Sequence, residues 1–249
     1  MMRLIISIVI LIAASFAASF AASFVATPLL AATQDLTIYE IQFTDSPGYD
    51  YTWPSLYKDS VVRTSGVVTA TDFNGNGFFI SMPEGGGWKG LLVNSNRQRT
   101  LRVGDNVTVT GVVGERFGMT FLRADEIIVK GKSAMIPRAV EITLWEASSS
   151  EDFESVRVRI GNVKVITGKT ANTQMLLTDN SGQCTMRNGF TNSSILKGIR
   201  SGTELSVALG VIDFAFGEYR INPIHSNSLQ PASVQANRAS WGRVKSMYR

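Results

Sequence analysis

One cysteine and one histidine in 249 residues leave little side-chain chemistry to work with. Cys184 by itself cannot close an intramolecular disulfide, so folding must rest on packing, and its strand-like setting reads as that of a small apolar residue. His225, with Asn222 and Asn227 nearby, cannot supply the paired ligands of the usual zinc sites and reads as a loop histidine. There is no Gly-x-Ser-x-Gly elbow and no phosphate-cradling Gly-Lys loop. The carboxylates are scattered, so no acid/base pair follows from spacing. These absences predict a chain that is not an enzyme, with no catalytic residue, no metal and no cofactor.

Charge is also sparse. Asp, Glu, Lys and Arg make up 18% of the chain, and the formal net charge of +4 is unevenly placed. Arg3 lies in the leader, and Arg238, Arg243, Lys245 and Arg249 lie in an acid-free tail, which leaves residues 33–231 at −1. Within that body residues 33–60 carry −4, residues 61–132 carry +3, and residues 133–231 balance. Only the middle segment has a basic bias, weaker than that of a strongly basic nucleic-acid-binding domain.

The apolar run Leu4–Ile12 follows Met1-Met2-Arg3, an Ala-Ala-Ser-Phe tetrad repeats to Phe24, and small residues end at Ala31-Ala32. A positive start, an apolar stretch and a small-residue exit predict a signal peptide over residues 1–32. About 20 apolar residues could also span a bilayer as a retained anchor. The Ala/Ser content, Pro28 and the small-residue end favour cleavage, hence a secreted, periplasmic or cell-surface protein without a stable membrane span.

The remaining chain repeats itself. Gly66-Val67-Val68 corresponds to Gly161-Asn162-Val163 at an offset of 95, and Gly77–Met82 to Gln174–Asp179 at 97. Arg102–Val109 corresponds to Arg200–Val207 at 98, and Gly111 and Gly118 to Gly210 and Gly217 at 99. A drift of four residues with the order kept predicts two copies of one module. Each copy reads as five short strands, near 60–71, 76–82, 88–94, 105–114 and 119–130, then 155–167, 173–179, 183–188, 203–213 and 216–224. Gly66 and Gly161, inside the first strand of each copy, are expected at a bulge or bend where a small sheet curls over. Five curled strands with an insertion between the third and fourth predict an all-β chain of two tandem five-stranded OB-fold barrels. A two-sheet sandwich is the alternative and would call for seven strands per copy. The domains are then residues 1–32, signal peptide; 33–132, first barrel with an N-terminal extension; 133–230, second barrel; and 231–249, a basic tail.

Thr37–Gln42, the Asp/Pro/Gly/Tyr-rich loop to Ser60, Ser65–Ala70, Gly77–Ile80 and Val103–Gly111 together resemble the OB-fold module of secreted bacterial nucleases and nucleotidases and related bacterial surface proteins. The resemblance covers about residues 36–130 and reaches residues 155–225 only through the internal repeat. It implies an accessory nucleic-acid-binding module. No catalytic domain follows here, so the resemblance implies binding rather than cleavage.

OB barrels bind through strands two and three and through the loops joining strands one to two and four to five. Trp88 and Lys89 open strand three, Arg97, Arg99 and Arg102 crowd the next loop, and Arg116-Phe117 lies between strands four and five. Aromatic rings stack on bases while arginine and lysine follow phosphates, so these seven residues are the candidate site for extracellular single-stranded DNA or RNA. The bland reading packs Trp88 on a barrel end and leaves the arginines on a solvated edge. A glycan or a surface protein is the alternative ligand, which a neutral body suits, and an accessory nuclease subunit is a third reading. Phe78 and Phe79 point to opposite faces of strand two, so one belongs in a core. Copy two has Met175 and Leu176 there and no counterpart of Trp88, so it reads as more structural. Asp72–Gly77 matches the first half of a calcium loop, but position 12 is Pro83, and a hairpin turn is expected instead. In the tail Trp241, Val244 and Tyr248 would share one face of a short helix, as for sorting, surface attachment or membrane contact, and a frayed terminus is the alternative that is favoured.

Overall fold

Short strands rich in Val, Thr and Gly form two sheets in the computed structural model, which describes residues 32–95, 100–170, 174–190 and 195–232, with the side chains of 167–170 left aside. The expected leader, Arg97, Arg99 and the tail helix lie outside the described residues. No helix among the described residues is long and apolar enough to cross a membrane.

The first half contains β1 (Gln34–Asp35), α1 (Ile38–Gln42), β2 (Val61–Phe73), β3 (Gly77–Ser81), β4 (Gly90–Asn94), β5 (Asp105–Arg116) and β6 (Met119–Lys132). The second contains β7 (Val140–Glu141), α2 (Leu144–Ser149), β8 (Arg157–Thr170), β9 (Gln174–Thr178), β10 (Gln183–Arg187), β11 (Glu204–Ala215), β12 (Glu218–Pro223) and β13 (Leu229–Pro231). In the second sheet β8 pairs with β9, β9 with β10, β10 with β12, β12 with β11, and β11 back with β8, a closed five-stranded barrel. The pairings β2–β3, β3–β4, β4–β6, β6–β5 and β5–β2 run in the same cycle in the first sheet. Each cycle has a single parallel pair, β4 with β6 and β10 with β12. The strand spans lie within a few residues of those read from the sequence, because a half-buried strand writes its alternation into the chain.

The repeat extends further upstream than the sequence comparison reached. In each half a two-residue strand runs parallel to the first barrel strand, β1 on β2 and β7 on β8. A short helix follows, opened by a reciprocal cap: Thr37 with Glu40 in α1, Thr143 with Glu146 in α2. A Thr-x-x-Glu signature satisfies two free backbone N–H groups at a helix start. The register shifts in β2 lie between Val68 and Phe73 rather than at Gly66. Gly66 serves close packing instead, since a Cβ there would stand 2.9 Å from Ile38 Cδ1 on α1. Asp72–Gly77 is a hairpin turn, with Phe73 paired to Gly77.

Phe78 and Phe79 are both buried, on opposite faces. Phe78 joins Ile38, Val68, Ile80 and Val109 in the core of the first half. Phe79 joins Ala70, Phe73, Leu92 and Met119 in a cluster continuous with the core of the second half. The outer face of β3 and β4, the expected ligand face, is therefore covered by the other half. Each fully buried large apolar side chain contributes about 1.5–3 kcal/mol, so this seam ties the halves together. Phe73 also bridges to Phe190, with ring centroids 5.3 Å apart, and the Asn74 N–H donates to the Gly189 carbonyl at 2.8 Å.

Candidate functional site

With the sheet face covered, what remains open are the loops at the rim of the seam. The β5–β6 and β11–β12 hairpins end in two-residue turns, closed by Arg116 opposite Met119 and by Ala215 opposite Glu218. Both turns are Phe-Gly with positive φ throughout, 55° and 88° at Phe117 and Gly118, 57° and 78° at Phe216 and Gly217. This is the type I′ pattern, in which asparagine is the favoured first residue and an ordinary side chain costs about 1–2 kcal/mol. Two equivalent turns carry the same unfavourable residue, and the two rings meet. Their centroids are 4.4 Å apart with planes tilted by 33°, and the residues are 54% and 77% exposed. The Arg116 guanidinium carbon stands 5.4 Å from the Phe117 ring centre, in cation–π range.

Beside the ring pair a cleft of about 520 Å³ is lined by both halves. The first half supplies Asn74 and Asn76 from the β2–β3 turn, Asn94 from β4 and Arg116; the second supplies Gln174, Arg187, Asp213 and Arg220. Asn74, Asn76, Asn94, Gln174 and Arg187 come from the second and third strands of each five-strand cycle and the turn before them, and Arg116, Asp213 and Arg220 from the fourth and fifth strands near their hairpins. Among the described lining residues three arginines, Arg116, Arg187 and Arg220, stand against one carboxylate, Asp213, an excess of positive charge.

Asp213 is buried and its oxygens are fully used. Arg220 holds it with Nε at 3.2 Å and Nη2 at 2.6 Å, and Asn222 Nδ2 donates to it at 2.7 Å. Arg187 donates Nη1 to Asp213 at 3.3 Å and Nη2 to Asn74 Oδ1 at 3.1 Å, crossing from one half to the other. Arg220 is thus committed to holding the hairpin, while Arg116 and the partly exposed Arg187 supply the charge a ligand would meet.

A second cavity of about 510 Å³, lined by Thr52, Lys58 and Glu115 among others, shares Phe117 and Phe216 with the first. Next to it lies a group of buried acids. Thr120 donates its hydroxyl to Glu115 at 2.7 Å and its N–H to Glu154 at 3.0 Å, and the Tyr219 hydroxyl donates to Glu151. Burial pushes all three carboxyls above the ordinary carboxylate range, Glu151 to about 8, and each is raised further by neighbouring acids. The Tyr219 hydroxyl is pushed up by burial, with Glu151 beside it adding to the shift. No group of three His, Cys, Asp or Glu among the described residues is arranged to hold a metal ion.

Of the seven residues singled out in the sequence, Arg116 and Phe117 line the cleft, and Trp88, Lys89 and Arg102 do not. Trp88 adopts φ of 62°, donates its N–H to the Asp152 carbonyl at 2.6 Å and meets Phe43 edge-on at 5.5 Å. Lys89 pairs with Glu84 at 3.3 Å, and the Arg102 N–H donates to Asp105 at 2.7 Å while its side chain stays out of the cleft. Arg97 and Arg99 lie outside the described residues. Phe216, Arg187 and Gln174 were missed because copy two reads as structural. The available signal was the recurrence of Phe-Gly at 117–118 and 216–217, at the offset of 99 that aligns the glycines.

No family model and no curated protein matches the chain. Among solved structures it is similar to a p204 HINb domain, at 10% identity and a TM-score of 0.34, over 68% of this chain and 95% of that one. It is similar at 8% identity and a TM-score of 0.34 to a murine DNA-binding protein bound with double-stranded DNA, over 65% and 95%. A single-stranded DNA-binding protein from Thermus aquaticus aligns at 10% identity and a TM-score of 0.24, over 74% and 97%. At such values the ligand has to be read from this chain's own residues.

Proposed function

We propose that this is a secreted, non-catalytic protein of two tandem OB-fold barrels that binds extracellular single-stranded nucleic acid in the cleft between its halves. The observation that carries the reading is the Phe117–Phe216 pair, exposed at the mouth of a cleft whose charged lining, among the described residues, is three arginines and one aspartate. Exposed rings offer π-faces to bases, arginines offer charge to phosphates, and carboxamides such as Asn76 and Gln174 offer hydrogen bonds to base edges. The cyclic pairing in both sheets supports two OB barrels.

A second reading, a glycan-binding module, is favoured by a different place. Tyr39 and Phe43, both exposed, stack at 5.1 Å, and Phe43 meets the half-buried Trp88 edge-on, an aromatic row whose nearby cation, Lys89, is already paired with Glu84. Such a row suits a sugar face better than a phosphate.

Titration of the purified protein with a fluorescent single-stranded oligonucleotide at low and moderate salt tests the first reading. Each phosphate contact on a single strand contributes a slope of about −0.7 in log K against log salt, so a steep loss of affinity is expected. Arg116→Ala should shallow that slope. Absence of binding, or binding indifferent to salt, overturns the reading and leaves the glycan.

A further inference from the structure

Phe117 and Phe216 pack on each other rather than into a core, and they do so from equivalent turns in two different barrels. The backbone strain described above is present twice, although asparagine would relieve it at either site. The tilt of 33° leaves the ring faces only partly in register. The pair is also a wall shared by two cavities, one bearing Arg116 and Arg187, the other lined by Lys58 with Asp50 and Glu115, so the basic groups lie on the Arg116 side of the rings. A strand of nucleic acid has the matching pattern, a planar base with an anionic phosphate beside it.

We propose that Phe117 and Phe216 form a clamp that parts to receive one unpaired base between the two rings. This rests on the nucleic-acid reading above and deepens it by naming how one base of the single strand is held. Sandwiching a base needs the rings roughly 7 Å apart, two stacking distances, where they now stand at 4.4 Å. Both rings sit at the tips of two-residue turns; Gly118 is packed against Phe214 and Thr52, whereas Gly217 has open space around it, so the Phe216 turn is the arm that moves. A duplex keeps its bases paired and stacked and has none to offer, and a sugar ring carries no π-face. Arg116, above the Phe117 ring, is positioned for the phosphate next to the clamped base.

The test compares four ligands of equal length: oligothymidylate, the same backbone without bases, a duplex, and a neutral oligosaccharide. The unaltered protein should bind oligothymidylate at least about tenfold more tightly than the base-free strand and more tightly than the duplex. Phe216→Ala should erase that preference by weakening oligothymidylate about tenfold while leaving the base-free strand unchanged, and Phe216→Trp should keep it. Phe216→Asn suits the turn and repeats the alanine test in a protein whose hairpin is preserved. Equal, salt-sensitive binding of oligothymidylate and the base-free strand overturns the clamp but leaves the nucleic-acid reading standing. Binding of neither strand, or of the oligosaccharide alone, overturns both.

Discussion

Thr120, at the start of β6 in the first half, donates its backbone N–H at 3.0 Å to the Glu154 carboxyl of the second half. The same residue's hydroxyl reaches Glu115, so one threonine holds two buried acids together at the seam.

Those acids set a pH dependence of stability. Glu115, Glu151 and Glu154 are raised by burial above their ordinary value of 4.5, Glu151 to about 8, with Asp152 and Asp213 adding repulsion and Lys58 facing Glu115. A carboxyl that binds its proton more tightly folded than unfolded stabilises fully below about 4.5, and that contribution is lost as pH rises through the folded value. The melting temperature should therefore fall steadily from pH 5 to pH 9. Glu154→Gln, which keeps an oxygen for Thr120 and cannot ionise, should melt higher at pH 8 and show a flatter profile. Scanning calorimetry of both proteins across that range decides it; parallel profiles would mean the cluster does not titrate as described.

Asp213 and Arg220 form the most buried ion pair among the described residues. Asp213→Ala leaves the Arg220 guanidinium without a partner beside Arg187, and a loss of about 3–5 kcal/mol is expected in urea unfolding. Asp213→Ala combined with Arg220→Met should regain much of it, because an apolar side chain needs no counter-charge. A cost below about 1 kcal/mol for the single change would show that water replaces the carboxylate.

The Phe-Gly turns predict a near balance. Phe117→Asn or Phe216→Asn relieves about 1–2 kcal/mol of backbone strain and gives up a ring contact worth about 0.5–1.5 kcal/mol. Stability should stay within about 1 kcal/mol of the parent by chemical denaturation. Gly118→Val should cost clearly more, since Gly118 has φ of 88° and a Cβ there would run into the Phe214 ring.

Cys184 should be silent in the folded protein. It is buried in the core, with Sγ 3.9 Å from the Ala147 carbonyl, and burial pushes its thiol up to about 12. A thiol held protonated and out of solvent does not react. Ellman's reagent should label it only in denaturant, and fast labelling at neutral pH without denaturant would place it in an opened structure.

The sequence determined the strands and the repeat, because strand alternation and turn chemistry are local: Val107, Val109 and Val113 alternate along β5, and Asn74-Gly75-Asn76-Gly77 writes its own turn. It also marked Arg116 and Phe117 at the β5–β6 connection, where the structure ends β5 at Arg116, turns at Phe117 and brings both into the cleft. Which face would be open was decided only by tertiary structure. Phe79 reads the same whether its face meets solvent, ligand or another barrel, since alternation records that a side chain is buried and not against what. The meeting of Phe117 with Phe216, 99 residues apart, depends on how the two halves dock, and docking is set by the summed fit of Phe73, Phe79, Leu92, Met119 and Phe190 rather than by any stretch of sequence.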